Sequence, residues 1–317
     1  MGLAMLGAVS QGILWGVMVL GVFITYKLLD IADLTVDGSF ALGGSVCAVL
    51  VVSGVDPVLA IFAAMLAGMI AGAVTGFLHT VFEIPAILAG ILTQIALWSV
   101  NLRIMGKSNT PLLRVDTLFS SVTDATSLPQ NVASIIVGLI FAILIIVALY
   151  WFFGTEIGSA CRATGNNEAM VRALGVDTKV TKMIALTLSN GLVGLSGGLI
   201  CESQGYADIG MGTGAIVIGL AAIVIGEVLG RLTPGKLRSF GSRLTAAVVG
   251  SVVYFLIRAI VLQLGMDAND MKLISAVIVA LALCIPVVWE KYQLRRAYAR
   301  SAKAAPATPA ANSEGGR

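Results

Sequence analysis

Charge is what this chain has least of. Asp, Glu, Lys and Arg make up 12% of its 317 residues against 58% apolar, too few to cover a water-soluble domain of this size. Histidine occurs once, at His79 beside Glu83 in "GFLHTVFEIP"; it reads as an interfacial side chain paired with that acid or with backbone, a proton relay being the alternative. Cys47, Cys161, Cys201 and Cys284 are scattered, with no C-x-x-C spacing and no histidine nearby, which excludes a disulfide framework and a zinc site and leaves them as small apolar fillers. No basic residue precedes Lys27 and no small-residue cleavage site follows a short apolar core, so the start reads as a retained span rather than a cleaved signal peptide. Nothing suggests catalysis either: neither a serine, histidine and acid group nor a carboxylate pair at helical spacing points to it. "NLRIMGKSN" offers Gly106, Lys107 and Ser108 as the end of a phosphate-binding loop. The first glycine of that loop would fall on Asn101, and no strand precedes it, so no nucleotide site is expected.

What the chain does have is long apolar runs, with a mean hydropathy of +0.97. They read as nine spans near 3–26, 40–54, 57–78, 84–100, 132–153, 183–201, 215–230, 244–264 and 272–289, each about as long as a bilayer is thick. The expected fold is therefore an all-α polytopic membrane protein in one transmembrane domain, 1–300, with a polar Ala/Pro-rich tail at 301–317. With a cytoplasmic C-terminus, the inside collects Lys27, then Arg162, Arg172, Lys179 and Lys182, then Arg231, Lys236, Arg238 and Arg243, then Lys291, Arg295, Arg296, Arg300 and Lys303. The outside keeps Arg103, Lys107, Arg114 and Lys272, a bias that places the N-terminus outside.

Three acids interrupt the apolar text early, Asp30, Asp33 and Asp37 in "KLLDIADLTVDGSFALGG". A similar interruption, "LICESQGYADIGMGTGAIVIG", follows the sixth span, and the two align 171 residues apart with Asp37 over Asp208. The chain then reads as repeat one (about 1–105), a linking span (132–153), a coupling loop (154–182) and repeat two (183–290), the odd number of spans inverting the second copy. Inverted repeats with short, Gly-interrupted helices at matching positions point to a transport path at their interface. Ionised groups and open backbone face protein or water at that depth, never lipid. Both interruptions are expected to flank a central path, with aqueous surface turns as the alternative. For Asp37 a capping role at the start of the next helix competes with substrate contact.

Candidate path residues are Asp33, Thr35, Asp37 and Ser39 in the first interruption, Thr93, Gln94 and Trp98 in the fourth span, Asn190 (beside Ser189) in the sixth, and Glu202, Gln204, Tyr206 and Asp208 beyond it. The alternative for the polar ones is hydrogen bonding between helices, and for Trp98 and Tyr206 interfacial anchoring. Arg258 lies about six residues from the end of its helix, within snorkelling reach of the surface, and Glu227 and Arg231 are spaced to pair.

Between the fifth and sixth spans, "TGNNEAMVRALG" forms a short helix capped by Thr164 or Asn166 and ended at Gly175. Its Arg162, Arg172, Lys179 and Lys182 are interleaved with Glu156, Glu168 and Asp177, a mixed surface suited to docking a protein. The pattern Arg162, Ala163, Thr164, Gly165, Asn166, Asn167, Ala169, then Leu174 and Gly175, resembles the cytoplasmic coupling segment of permeases in the branched-chain amino acid and ribose class of ABC importers. "DLTVDGSFALGG", "HTVFEIPAILAGILTQIALWSVNLRIMGKSN" and "GGLICESQGYADIGMGTG" look more narrowly like the branch named for tryptophan and tyrosine uptake, the similarity running from about 10 to 290. That resemblance implies a type II importer-like fold and a transport subunit that imports a small organic solute, an amino acid, by alternating access. It implies a second permease copy, two cytoplasmic ATPase subunits carrying ATP and Mg, an extracytoplasmic binding protein, and a prokaryotic inner membrane. A sugar, nucleoside or vitamin permease of the same class, or an ion-coupled carrier, remains the alternative. No nucleic acid partner, no cofactor and no metal in this chain are expected.

Overall fold

A computed structural model describes residues 2–113, 115–232, 239–264, 273, 275–281, 284 and 291. The helices run in the order α1 (Gly2–Phe23), α2 (Thr35–Val52), α3 (Pro57–Thr80), α4 (Ala86–Met105), α5 (Leu118–Thr126), α6 (Gln130–Phe152), α7 (Glu156–Asn166), α8 (Glu168–Ala173), α9 (Thr178–Gln204), α10 (Ala215–Leu232) and α11 (Phe240–Gln263). Two short strands, β1 (Asn109–Pro111) and β2 (Tyr206–Asp208), pair antiparallel with Asn109 opposite Asp208. A π-helical turn, Ile24–Leu28, extends α1. Among the described residues seven helices are long and apolar enough to cross a membrane, α10 being a shorter apolar helix beside them. The expected ninth span, 272–289, is described only at 273, 275–281 and 284. The 301–317 tail and the basic residues Arg114, Lys236, Arg238, Lys272, Arg295, Arg296, Arg300 and Lys303 lie outside the described residues.

The expected spans described are met within about five residues at each end, and the shift matters most at α2. It begins at Thr35 rather than residue 40, so Asp37 sits inside its first turn. The polar run "TVDGS" conceals a helix start because its side chains are satisfied by distant partners rather than by water. The repeat register is also corrected. α2 begins at residue 35 and α10 at 215, so helix starts are 180 residues apart, and Asp208, in strand β2, has no helical counterpart to Asp37's position. Strand β2 and the turns of residues 209–214 account for the extra length.

The bundle is built around α9, buried over most of its length. Helices α1 and α3 run antiparallel to it and α2 runs parallel: Ser189 meets Gly21 and Ser196 meets Leu14, while on α2 Ser39 meets Asn190 and Cys47 meets Glu202. Glycine sets how closely these axes approach. A Cβ on Gly194 would stand 2.6 Å from the Ala64 carbonyl oxygen and 3.0 Å from the Gly68 Cα, and Gly43 lies against the Gly194 backbone from the other side. Lipid gives no hydrophobic drive to helix association, so such backbone proximity is what van der Waals packing needs. Local signals position the ends: Asp56 accepts the Val58 amide at 2.9 Å with Pro57 at the first helical position of α3, and Thr117 with Ser120 forms a capping box on α5.

The bundle has two ends. The near face carries α7, α8 and Lys27, and the far face carries α5, β1 and β2. Replacing Gly194 by Leu should lower stability by about 1–3 kcal/mol or more, visible as an earlier thermal transition of the detergent-purified chain. Gly7→Ala, with nothing within 4 Å of the added carbon, should melt with the wild type. Equal melting of Gly194→Leu would contradict the packing account.

Candidate functional site

Two connections enter the bundle from opposite ends. Residues 29–34 leave the near face and climb to Asn190, which stands twelve residues into α9, about 18 Å from its near end. Residues 209–214 descend from β2 along α2, bringing Gly212 against the Asp37 backbone. Asp37 is fifteen residues from the far end of α2, about 22 Å along its axis. Both short helices, α2 and α10, therefore start inside the bundle, and the backbone around their starts must find its partners in protein.

Asp33 and Asp37 supply those partners. Asp33 is buried; its Oδ1 accepts the Thr35 amide at 2.9 Å and its Oδ2 accepts Asn190 Nδ2 at 2.6 Å. Ser39 donates to Asn190 Oδ1 at 2.7 Å, so one amide on α9 holds both the entry to α2 and its second turn. Thr35, Thr75 and Thr93 continue the network through hydroxyl contacts of 2.8 and 2.9 Å. Asp37 accepts the Gly214 amide on Oδ2 at 2.8 Å and the Ile216 amide on Oδ1 at 3.0 Å. It caps α10, not the helix it belongs to, placing a carboxylate at the positive end of α10's dipole. The sequence offered capping of the next helix; that helix lies 177 residues further on.

Other candidates separate from this latch. Glu202, in the last turn of α9, accepts the Cys47 thiol at 3.3 Å and the Leu118 amide at 2.8 Å, tying α5 to the bundle. Gln94 is half-buried, and Trp98 is 52% exposed on the outer side of α4, away from the enclosed groups. Gln204, Tyr206 and Asp208 do face a concavity: they line a far-face cavity of about 860 Å³ together with Trp15, Phe40 and Arg258. Sequence reasoning missed Trp15, lost in the apolar text of α1, and read Arg258 only as a snorkelling side chain.

On the near face, the loop is two helices at an angle. Asn167, not Thr164 or Asn166, caps α8, accepting the Met170 amide at 3.0 Å; Thr164 instead meets Thr181 at 3.0 Å, fastening α7 to α9. α7 has its own cap, Thr155, and Gly175 beyond α8 takes φ +84°, a left-handed turn suited to glycine. Gly165 lies directly against the Leu28 carbonyl, so the loop is seated on the turn that leads into the Asp33 connection. The Lys182 ammonium at 2.7 Å is the main cause holding the Glu168 carboxyl below its ordinary value, with Thr178 and Arg172 adding to it. Burial pushes the Cys161 thiol up to about 11, which keeps it protonated and unreactive at neutral pH. Arg162 stands over the Phe240 ring at 5.6 Å, and with Lys27 and Arg243 lines a near-face groove of about 510 Å³. Lys27 takes Glu227 as its ion partner at 2.8 Å, and His79 meets the Ile84 carbonyl while Glu83 pairs with Lys179. Ala169, Met170 and Leu174 are left exposed, Leu174 by 73%.

The described residues form a polytopic helical bundle in which two short apolar helices start inside the bundle, reached from opposite ends. The chain matches the family described as branched-chain amino acid transport system permease component over residues 4–284, and it belongs to that family. It is 38% identical over 274 residues to the tyrosine transport system permease protein of Clostridioides difficile, covering 86% of this chain and 88% of that one. An uncharacterized protein of Rickettsia prowazekii, RP368, is 32% identical over 87% of this chain and 95% of its own length. The ribose import permease protein RbsC of Escherichia coli is 29% identical over 52% of this chain and 50% of its own length. The expected membership in the branched-chain amino acid and ribose class is thereby met.

Asn190→Leu should leave Asp33 Oδ2 and Ser39 without their partner and cost about 1–3 kcal/mol, read as loss of thermal stability and of hydrogen-exchange protection in residues 35–39. Unchanged protection there would contradict the latch.

Proposed function

We propose that this chain is the transmembrane subunit of an ATP-driven importer that moves a small organic solute, an amino acid with an aromatic side chain among the candidates, into the cytoplasm by alternating access. The single observation that carries the reading is mechanical. α7 sits through Gly165 on the Leu28–Leu29 backbone, the start of the connection that holds α2, and α2 in turn holds the start of α10 through Asp37. A push on the near-face loop has a short packed route to both broken helices, the arrangement needed for rocking one repeat against the other. Two broken helices entering from opposite faces support the repeat organisation of 1–105 and 183–290 around the linking helix.

In this reading the near face is cytoplasmic. Lys27, Arg162, Arg172, Lys179, Lys182 and Arg243 are gathered there against Arg103 and Lys107 on the far side, which favours an outside N-terminus. ATP and Mg belong to separate cytoplasmic ATPase subunits, whose contact is the surface of α7 and α8. An extracytoplasmic binding protein delivers solute to the far face, and a second permease copy completes the membrane unit. The amino acid assignment is supported by the relative named for tyrosine transport and by the aromatic lining of the far cavity.

Leu174 is the clean probe of the coupling surface, because it is exposed and its side chain is not part of the near-face latch. Gently purified from its native membrane, the wild-type chain should bring an ATPase subunit with it. Leu174→Glu should lose about nine-tenths or more of that subunit, an effect of roughly 1.4 kcal/mol or greater on docking, while melting like the wild type. An absence of any ATPase from the wild-type preparation, with other membrane complexes intact, would sink the importer reading.

A further inference from the structure

The far-face cavity contains opposite charges that the fold does not use against each other. Arg258, on α11, lines both the 860 Å³ cavity and an adjoining one of about 500 Å³, and its guanidinium lies 5.7 Å over the Phe255 ring. Among the described residues no carboxylate lies within 4.0 Å of it. Asp208 lines the same cavity, with Oδ1 accepting the Gly210 amide at 2.8 Å and Oδ2 without a hydrogen-bond partner among the described residues. An arginine stays charged at any accessible pH, and one facing the interior of a membrane protein calls for water and an anion.

Aromatic groups connect the two charges. Trp15 stacks on Phe40 with ring centroids 4.7 Å apart and meets Phe255 at 5.6 Å, so a run of packed rings backs the cavity up to the guanidinium. Tyr206, 41% exposed, stands at the strand that carries Asp208. A cavity of this size admits a small metabolite with room for water.

We propose that Arg258 anchors the carboxylate of a free α-amino acid in this cavity, with Asp208 receiving its ammonium group and Tyr206 with the edge of Trp15 receiving an aromatic side chain. A guanidinium matches a carboxylate with paired hydrogen bonds, and a zwitterion brings an anionic group for Arg258 and a cationic one for Asp208. A neutral sugar satisfies neither. The site deepens the amino acid importer reading and rests on it for the direction of transport, while binding itself is measured without the ATPase.

The test is saturation-transfer NMR on the full chain in lipid nanodiscs, with L-tyrosine, tyramine (which lacks the carboxylate) and D-ribose as probes. L-Tyrosine should bind; tyramine and ribose should bind about thirtyfold more weakly or worse. Arg258→Gln should weaken L-tyrosine by a similar factor and Arg258→Lys should recover part of it. Tyramine matching L-tyrosine on the wild type, Arg258→Gln binding L-tyrosine as well as the wild type, or no L-tyrosine signal at millimolar concentration would each overturn the proposal. Should Arg258→Gln fail to fold, the comparison of L-tyrosine with tyramine on wild-type protein still decides. ATPase co-purification of the wild type reports separately on the importer reading, so one can fail while the other stands.

Discussion

The carboxylate of Asp37, half-buried in the first turn of α2 and bonded to the first amides of α10, is the interaction on which the rest of this architecture depends. A helix that begins in the middle of a membrane exposes amide groups that neither lipid nor its own backbone can satisfy. Supplying the acceptor from the other broken helix makes the start of α10 conditional on α2. Asp33 and Asn190 do the same for α2, so that hydrogen bonds join α9, α2 and α10 across the boundary between the two repeats. Two of the three early acids, Asp33 and Asp37, thus sit at depth as acceptors for backbone, while Asp30 is exposed beside Leu29.

Glycine permits those bonds to exist. Polar side chains as short as Asp, Asn and Ser reach one another only where helix axes are close, and the close axes occur where Gly43, Gly68 and Gly194 present backbone to backbone. A bundle packed in this way moves in steps rather than by continuous bending, because small residues leave no soft side chains to absorb strain. The seat of Gly165 on Leu28 then links the near-face loop to the same bonded helices.

Much of this was legible in the sequence for physical reasons. Apolar runs of bilayer length report spans, basic residues gather at one face, and the acid-and-glycine interruptions mark where helices break. The helical character of 164–175 was legible, though the structure divides it between α7 and α8, with the cap misassigned because Thr164 has a better partner in Thr181 across space than in its own chain. What could not be read was register at depth. The helical nature of 35–39 depends on Asn190, more than 150 residues away, and the non-equivalence of Asp37 and Asp208 depends on a strand pairing with Asn109. Trp15 and Arg258 escaped for a related reason: a single aromatic or basic residue in an apolar helix carries no periodic signal of the neighbour it faces.

The central claim is that residues 209–214 dip to mid-depth to meet Asp37, and the most direct measurement is a spin-label distance by pulsed double electron resonance between Thr213 and Asn166, on the near face, in nanodiscs. The account predicts a separation of about 20–25 Å, set by roughly half the length of α9. A separation near the full length of α9, about 40 Å, would place residues 209–214 at the far surface as an ordinary turn and contradict it.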